Sequence, residues 1–66
     1  MNVFVNNKEV EIEEKTTLAG LARTLQLPRE GVAIAVDNQM ISKPEWDGFI
    51  LQENARIVII KAACGG

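Results

Sequence analysis

Only one stretch of this chain carries a helical period: Leu18, Leu21, Ala22 and Leu25 recur at the spacing of a single helix face. The apolar segments on either side read as strands. Val3, Phe4 and Val5 are β-formers, and the alternation Glu9-Val10-Glu11-Ile12-Glu13 comes after them across Asn6-Asn7, which predicts a hairpin. After the helical stretch come Val32 to Val36, broken at Asp37-Asn38, then a short strand over Phe49 to Leu51. A turn at Gln52-Glu53-Asn54 leads into the apolar run Arg56 to Lys61. The chain has 66 residues, room for one core and little else. One helix and several strands can share a core only as two layers, so the expected class is α+β: a mixed sheet with the helix packed on one face. The expected order is β-β-α-β-(short β)-β, with the first and last strands side by side in the centre.

Thr16 or Thr17 is placed to cap the helix, and Pro28 to end it near Gln26 or Leu27. Gly20 costs ~1 kcal/mol of helix propensity relative to alanine, which signals either close packing against the sheet or simple tolerance. Ser42 to Gly48 reads as a loop or single turn around Pro44 and Trp46. Strand alternation sends Val3, Val5, Val10, Ile12, Ile57 and Ile59 toward the core, and brings Phe4, Val58 and Ile60 out on the opposite face. With one helix in the chain, that second face is either a surface for a partner or partly covered by the Trp46 loop.

Charge and composition exclude several functions. A net charge of -2 and a pI near 4.9 argue against a nucleic-acid binder, which needs clustered Lys and Arg, and suit a basic protein partner instead. Lys8, Glu9, Glu11, Glu13, Glu14 and Lys15 near the start are unlike a signal peptide, and runs such as Ile57 to Ile60 fall far short of the ~20 residues that span a bilayer. A cytoplasmic protein that does not engage a membrane is therefore expected. Cys64 is the only cysteine and histidine is absent. No internal disulfide, multi-cysteine metal site or Cys/His pair can be built, so no metal, cofactor or catalytic side chain is expected. The glutamates of the second strand read as a solvated face and not as paired catalytic carboxylates. The chain is expected to be a protein co-substrate, not an enzyme.

The sequence ends Cys64-Gly65-Gly66. Two glycines allow the backbone to thread a narrow channel or approach a catalytic surface closely. Residues 62–66 are expected to form a flexible tail on a 1–61 domain, extending roughly 17 Å at ~3.4 Å per residue. A terminal carboxyl is ionised and unreactive at neutral pH, so it needs activation, for instance as an acyl-adenylate made by another enzyme. Cys64 beside the diglycine is either a thiol able to exchange disulfides or a small residue filling a tail position, and the second reading is favoured.

The run Val32-Ala33-Ile34-Ala35-Val36-Asp37-Asn38-Gln39, then Ile41, Lys43, Trp46, the last apolar strand and Gly65-Gly66 together resemble the ThiS family of sulfur carriers over essentially the whole chain. The resemblance implies a β-grasp, ubiquitin-like fold. It implies that Gly66 is adenylylated by a ThiF-type adenylyltransferase and converted to a thiocarboxylate with sulfur from a donor such as a cysteine desulfurase. Thiazole synthase, ThiG, would then use that sulfur in thiamin biosynthesis. Cys64, Gly65 and Gly66 would enter the partner's active site, and Phe4, Val58 and Ile60 would form part of the gripped surface. The molybdopterin carrier MoaD shares the fold and the diglycine; the Val32 to Gln39 run, Trp46 and the short length favour the thiamin carrier. A TGS-type binding module also shares the Thr16 to Ala22 pattern but needs no terminal diglycine. This sequence departs from the family pattern at Asn54-Ala55, where a Gly-Asp pair is usual, at Lys43, where arginine is usual, and at Pro44. Asparagine tolerates the left-handed backbone, so the Asn54 turn is expected to survive.

Overall fold

A computed structural model describes residues 1–28 and 30–61. Strand β1 (Asn2–Val5) turns into β2 (Lys8–Glu11), helix α1 (Leu18–Thr24) crosses over, and β3 (Val32–Val36) and β4 (Gln39–Ile41) come next. A 3₁₀ turn over Lys43–Gly48 then leads to β5 (Arg56–Lys61). The sheet order is β2-β1-β5-β3-β4. Strand β5 lies in the centre, parallel to β1 and antiparallel to β3. The expected two-layer α+β architecture is present, with the first and last strands adjacent.

Both hairpins turn on residues that tolerate positive φ. Asn6 and Asn7 sit at 50° and 69°, and Asp37 and Asn38 at 51° and 69°, the left-handed pair that a two-residue turn needs to match the twist of its strands. At Asp37-Asn38 this corrects the expectation of a simple break. The chain turns back there and pairs Val36 with Gln39, Ala35 with Met40 and Ile34 with Ile41. The expected short strand at Phe49 to Leu51 is instead a single bridge, Thr17 to Ile50, outside the sheet. It is closed by Leu18 N–H to the Phe49 carbonyl at 2.8 Å and Leu51 N–H to the Thr16 carbonyl at 2.9 Å. Asn54 takes φ 64°, so the turn survives without glycine as expected, and Ala55 beside it is buried.

Thr17 is the helix cap: its hydroxyl accepts from Gly20 N–H at 3.0 Å. A side chain at Gly20 would meet the Thr17 hydroxyl at 3.3 Å and the Thr16 methyl at 3.7 Å. The small residue therefore makes room for the capping Thr17 and its neighbour Thr16, and the reading of close packing on the sheet is corrected. The helix stops at Thr24, before Pro28 can act. Gln26 enters the left-handed region at φ 57°, its N–H reaches the Arg23 carbonyl at 3.0 Å, and Leu27 N–H reaches the Ala22 carbonyl at 3.0 Å. These paired bonds are the Schellman closure, built here without glycine.

The core is a single layer between α1 and the inner face of the sheet. Val3, Leu18, Leu21, Ile34, Leu51 and Ile57 are almost fully buried, and Val5, Val10, Ile12 and Ile59 pack against them partly covered. Trp46 belongs to the same layer. Its indole N–H donates to the Ile41 carbonyl at 2.9 Å, and its ring lies on the helix side of the molecule, beside Ala19 and Ala22. The idea that the Trp46 loop covers the outer sheet face is thereby overturned. Pro44 sits in the first turn of the 3₁₀ segment, where a missing N–H costs nothing, and the Lys43 ammonium stands 5.9 Å from the Trp46 ring centroid.

Candidate functional site

The outer face of the sheet carries an apolar surface that α1 does not cover, with three of the four large exposed hydrophobic residues among the described residues: Met40, Val58 and Ile60, the fourth being Ile50. Directly paired residues on neighbouring strands point to the same side, so the register sets its rows. Val58 pairs with Ala35, which pairs with Met40, and Ile60 pairs with Ala33. Phe4 pairs with Arg56 across the parallel ladder and adjoins Val58 at the end of the sheet. Met40 is 60% exposed, Ile60 51% and Val58 42%, while Phe4 is half-buried. The structure thus brings Phe4, Val58 and Ile60 onto one face and adds Ala33, Ala35 and Met40. Reading Asp37-Asn38 as a break hides Met40, because it hides the β3–β4 hairpin; the suitability of that pair for positive φ is the signal that could find it.

A polar margin borders this surface on the β2 side. Glu9 pairs with Phe4 and Glu11 with Asn2, so both carboxylates share the outer face with the apolar rows, and Asn2 donates its amide to Glu9 at 2.6 Å. Arg56 stands on the same face between Phe4 and Asp37, where its backbone N–H donates to the Asp37 carboxylate at 3.0 Å.

Strand β5 is also the element that leads to the chain end. Phe4 N–H donates to the Ala55 carbonyl at 2.9 Å and Asn6 N–H to the Ile57 carbonyl at 2.8 Å, which fixes β5 along β1. On the other edge it pairs with β3 as far as Val32 opposite Lys61. Cys64, Gly65 and Gly66, with the expected 62–66 tail, lie outside the described residues. Among the described residues no group of three acidic, histidine or cysteine side chains could hold a metal, and no helix is long and apolar enough to cross a membrane.

A five-stranded mixed sheet holding one helix, with a parallel pair of first and last strands and a diglycine beyond the last, defines a ubiquitin-like β-grasp protein. The crystal structure of the thiamine biosynthesis protein ThiS from Geobacter metallireducens superposes with a TM-score of 0.85 at 19% identity, covering all of both chains. The sulfur carrier protein ThiS of Escherichia coli strain K12 is 23% identical over 66 residues, the full length of each. The ThiS family model matches residues 2–66, and this chain belongs to the ThiS family.

Proposed function

We propose that this chain is a sulfur carrier whose reacting group is the Gly66 carboxyl, supplying sulfur for thiazole formation in thiamin biosynthesis. The observation that carries the reading is the match to the ThiS family through residue 66, so that it includes the diglycine and not only the fold. The whole-length similarity to a protein named as a sulfur carrier supports it. In the first step a Gly66 carboxylate oxygen attacks the α-phosphorus of ATP, the bond to the β-phosphate breaks, and pyrophosphate leaves. A sulfur nucleophile at the oxidation level of sulfide, released from a persulfide of the donor enzyme by a thiol reductant that is itself oxidised to a disulfide, then attacks the acyl carbon. The bond to AMP breaks, and the chain ends in a thiocarboxylate. The carrier supplies no acid or base to either step. Its work is presentation: the outer face of β5 and its neighbours docks on a ThiF-type adenylyltransferase and on thiazole synthase, and the tail carries the carboxyl inward.

The test is adenylylation by the cognate ThiF-type enzyme with Mg²⁺ and ATP, read by pyrophosphate release and intact mass. Deleting Gly66 leaves a glycine at the new terminus but withdraws the carboxyl by ~3.3 to 3.6 Å, where even a 1 Å misplacement can cost ~100-fold in rate. Adenylylation is expected to be lost in the deletion variant while thermal stability is retained. An undiminished reaction in that variant, or none in the wild type, overturns the proposal.

A further inference from the structure

Each hairpin turn does a second task on β5, and the two act at opposite ends and on opposite edges of that strand. Asp37, first residue of the β3–β4 turn, holds its beginning: Asp37 N–H donates to the Arg56 carbonyl at 2.8 Å, and its carboxylate accepts from Arg56 N–H at 3.0 Å. Asn6, first residue of the β1–β2 turn, holds its far end. The Asn6 N–H donates to the Ile57 carbonyl at 2.8 Å, and its side-chain oxygen accepts from Ile59 N–H at 2.9 Å, with the amide nitrogen 3.5 Å from the Ile59 carbonyl.

Strand β1 itself stops at Val5. Because Asn6 turns away at φ 50°, the backbone of β1 cannot continue the parallel ladder, and the Asn6 carboxamide stands in for the next strand residue. Among the described residues Ile59 is thus the last position the β1 side grips; there Ile60 and Lys61 are paired by Ala33 and Val32 of β3. Asn6 lines the groove at this exit together with Leu25, Leu27, Ile59 and Lys61.

We propose that Asn6 is a positioning residue for the reaction at the chain end, fixing the point and direction from which β5 hands over to the tail. The inference rests on the reading of Gly66 as the reacting group. A strand end held from both edges leaves the sheet from one fixed point, whereas an end held from β3 alone swings about that edge and brings the carboxyl to the attack geometry less often. Asn6 borders the outer face beside Phe4 and Val58, but Asn6→Gly removes none of the apolar rows, so docking is expected to be kept and the loss to fall on turnover.

Asn6→Gly tests this, because glycine keeps the positive-φ turn while removing the carboxamide. The expected result is a roughly tenfold lower rate of pyrophosphate release at saturating ATP and carrier, about 1.4 kcal/mol in the barrier, with the half-saturating carrier concentration unchanged. Asn6→Asp keeps the acceptor for Ile59 N–H and is expected to restore most of the rate. Asp37→Gly removes the matching bond at the remote end of β5 and is expected to lose similar thermal stability at the wild-type rate. Full turnover in Asn6→Gly, or equal impairment in Asp37→Gly, overturns the positioning role. In the unmutated protein the Ile59 amide is expected to resist hydrogen exchange, and rapid exchange there overturns the clamp without any variant. A wild type that is not adenylylated instead overturns the assignment of Gly66, which separates the two failures.

Discussion

Ile57 and Ile60 share a strand and a side chain but not a fate: one is 1% exposed and the other 51%. The same contrast runs along all of β5, where Ile57 and Ile59 face α1 while Val58 and Ile60 face away from it. Hydrophobicity does not distinguish these residues; parity in the strand and the presence of a single helix do. The lesson is that an equally apolar central strand can supply a core with one face and leave the other exposed. A one-helix domain has no second layer with which to cover both.

The comparison can be broken most forcefully at Ile57. Ile57→Ala is expected to destabilise by about 2–5 kcal/mol, the range for truncating a buried aliphatic side chain. A domain of this size seldom has more than about 3–5 kcal/mol in hand. Urea denaturation monitored by circular dichroism should therefore show a largely unfolded population at low denaturant. A midpoint near that of the wild type would mean that the inner face is not the core.

Ile60→Asp probes the other side of the strand. The fold should persist while affinity for the activating enzyme falls tenfold or more, about 1.4 kcal/mol, measured by calorimetric titration. Outright unfolding of this variant would place Ile60 in the core and collapse the distinction between the faces. The smallest effect is expected for Val58→Thr, which keeps the β-branched shape that strands favour. Its stability should stay within about 0.5 kcal/mol of the wild type. A larger loss would show that the outer apolar rows contribute to folding.

The helix is legible because Leu18, Leu21, Ala22 and Leu25 repeat at its period, and the first hairpin because Asn6-Asn7 joins two β-like segments. The assignment of Val3 and Ile57 to the inner face and of Val58 and Ile60 to the outer one comes from alternation alone. Less legible is everything that depends on a residue choosing among partners. Gln26 ends the helix although it is not glycine, because Arg23 and Ala22 offer carbonyls that its turn can close on. Trp46 could lie on either face, and the Ile41 carbonyl on the helix side draws its N–H there, since a buried indole needs a partner. Met40 joins the outer face only because the Asp37-Asn38 turn brings β4 back beside β3.

The sequence by itself determined the two-layer class, the single helix and the alternation of β5, and it left the Gly66 carboxyl as the group through which chemistry is proposed, because these rest on local periods and residue types. The tertiary structure alone decided the extent of the outer apolar surface, the burial of Trp46 and the capture of Ile59 by Asn6. Each of these joins residues brought together by the fold, and their energies depend on strand register and hydrogen-bond geometry that no local pattern encodes.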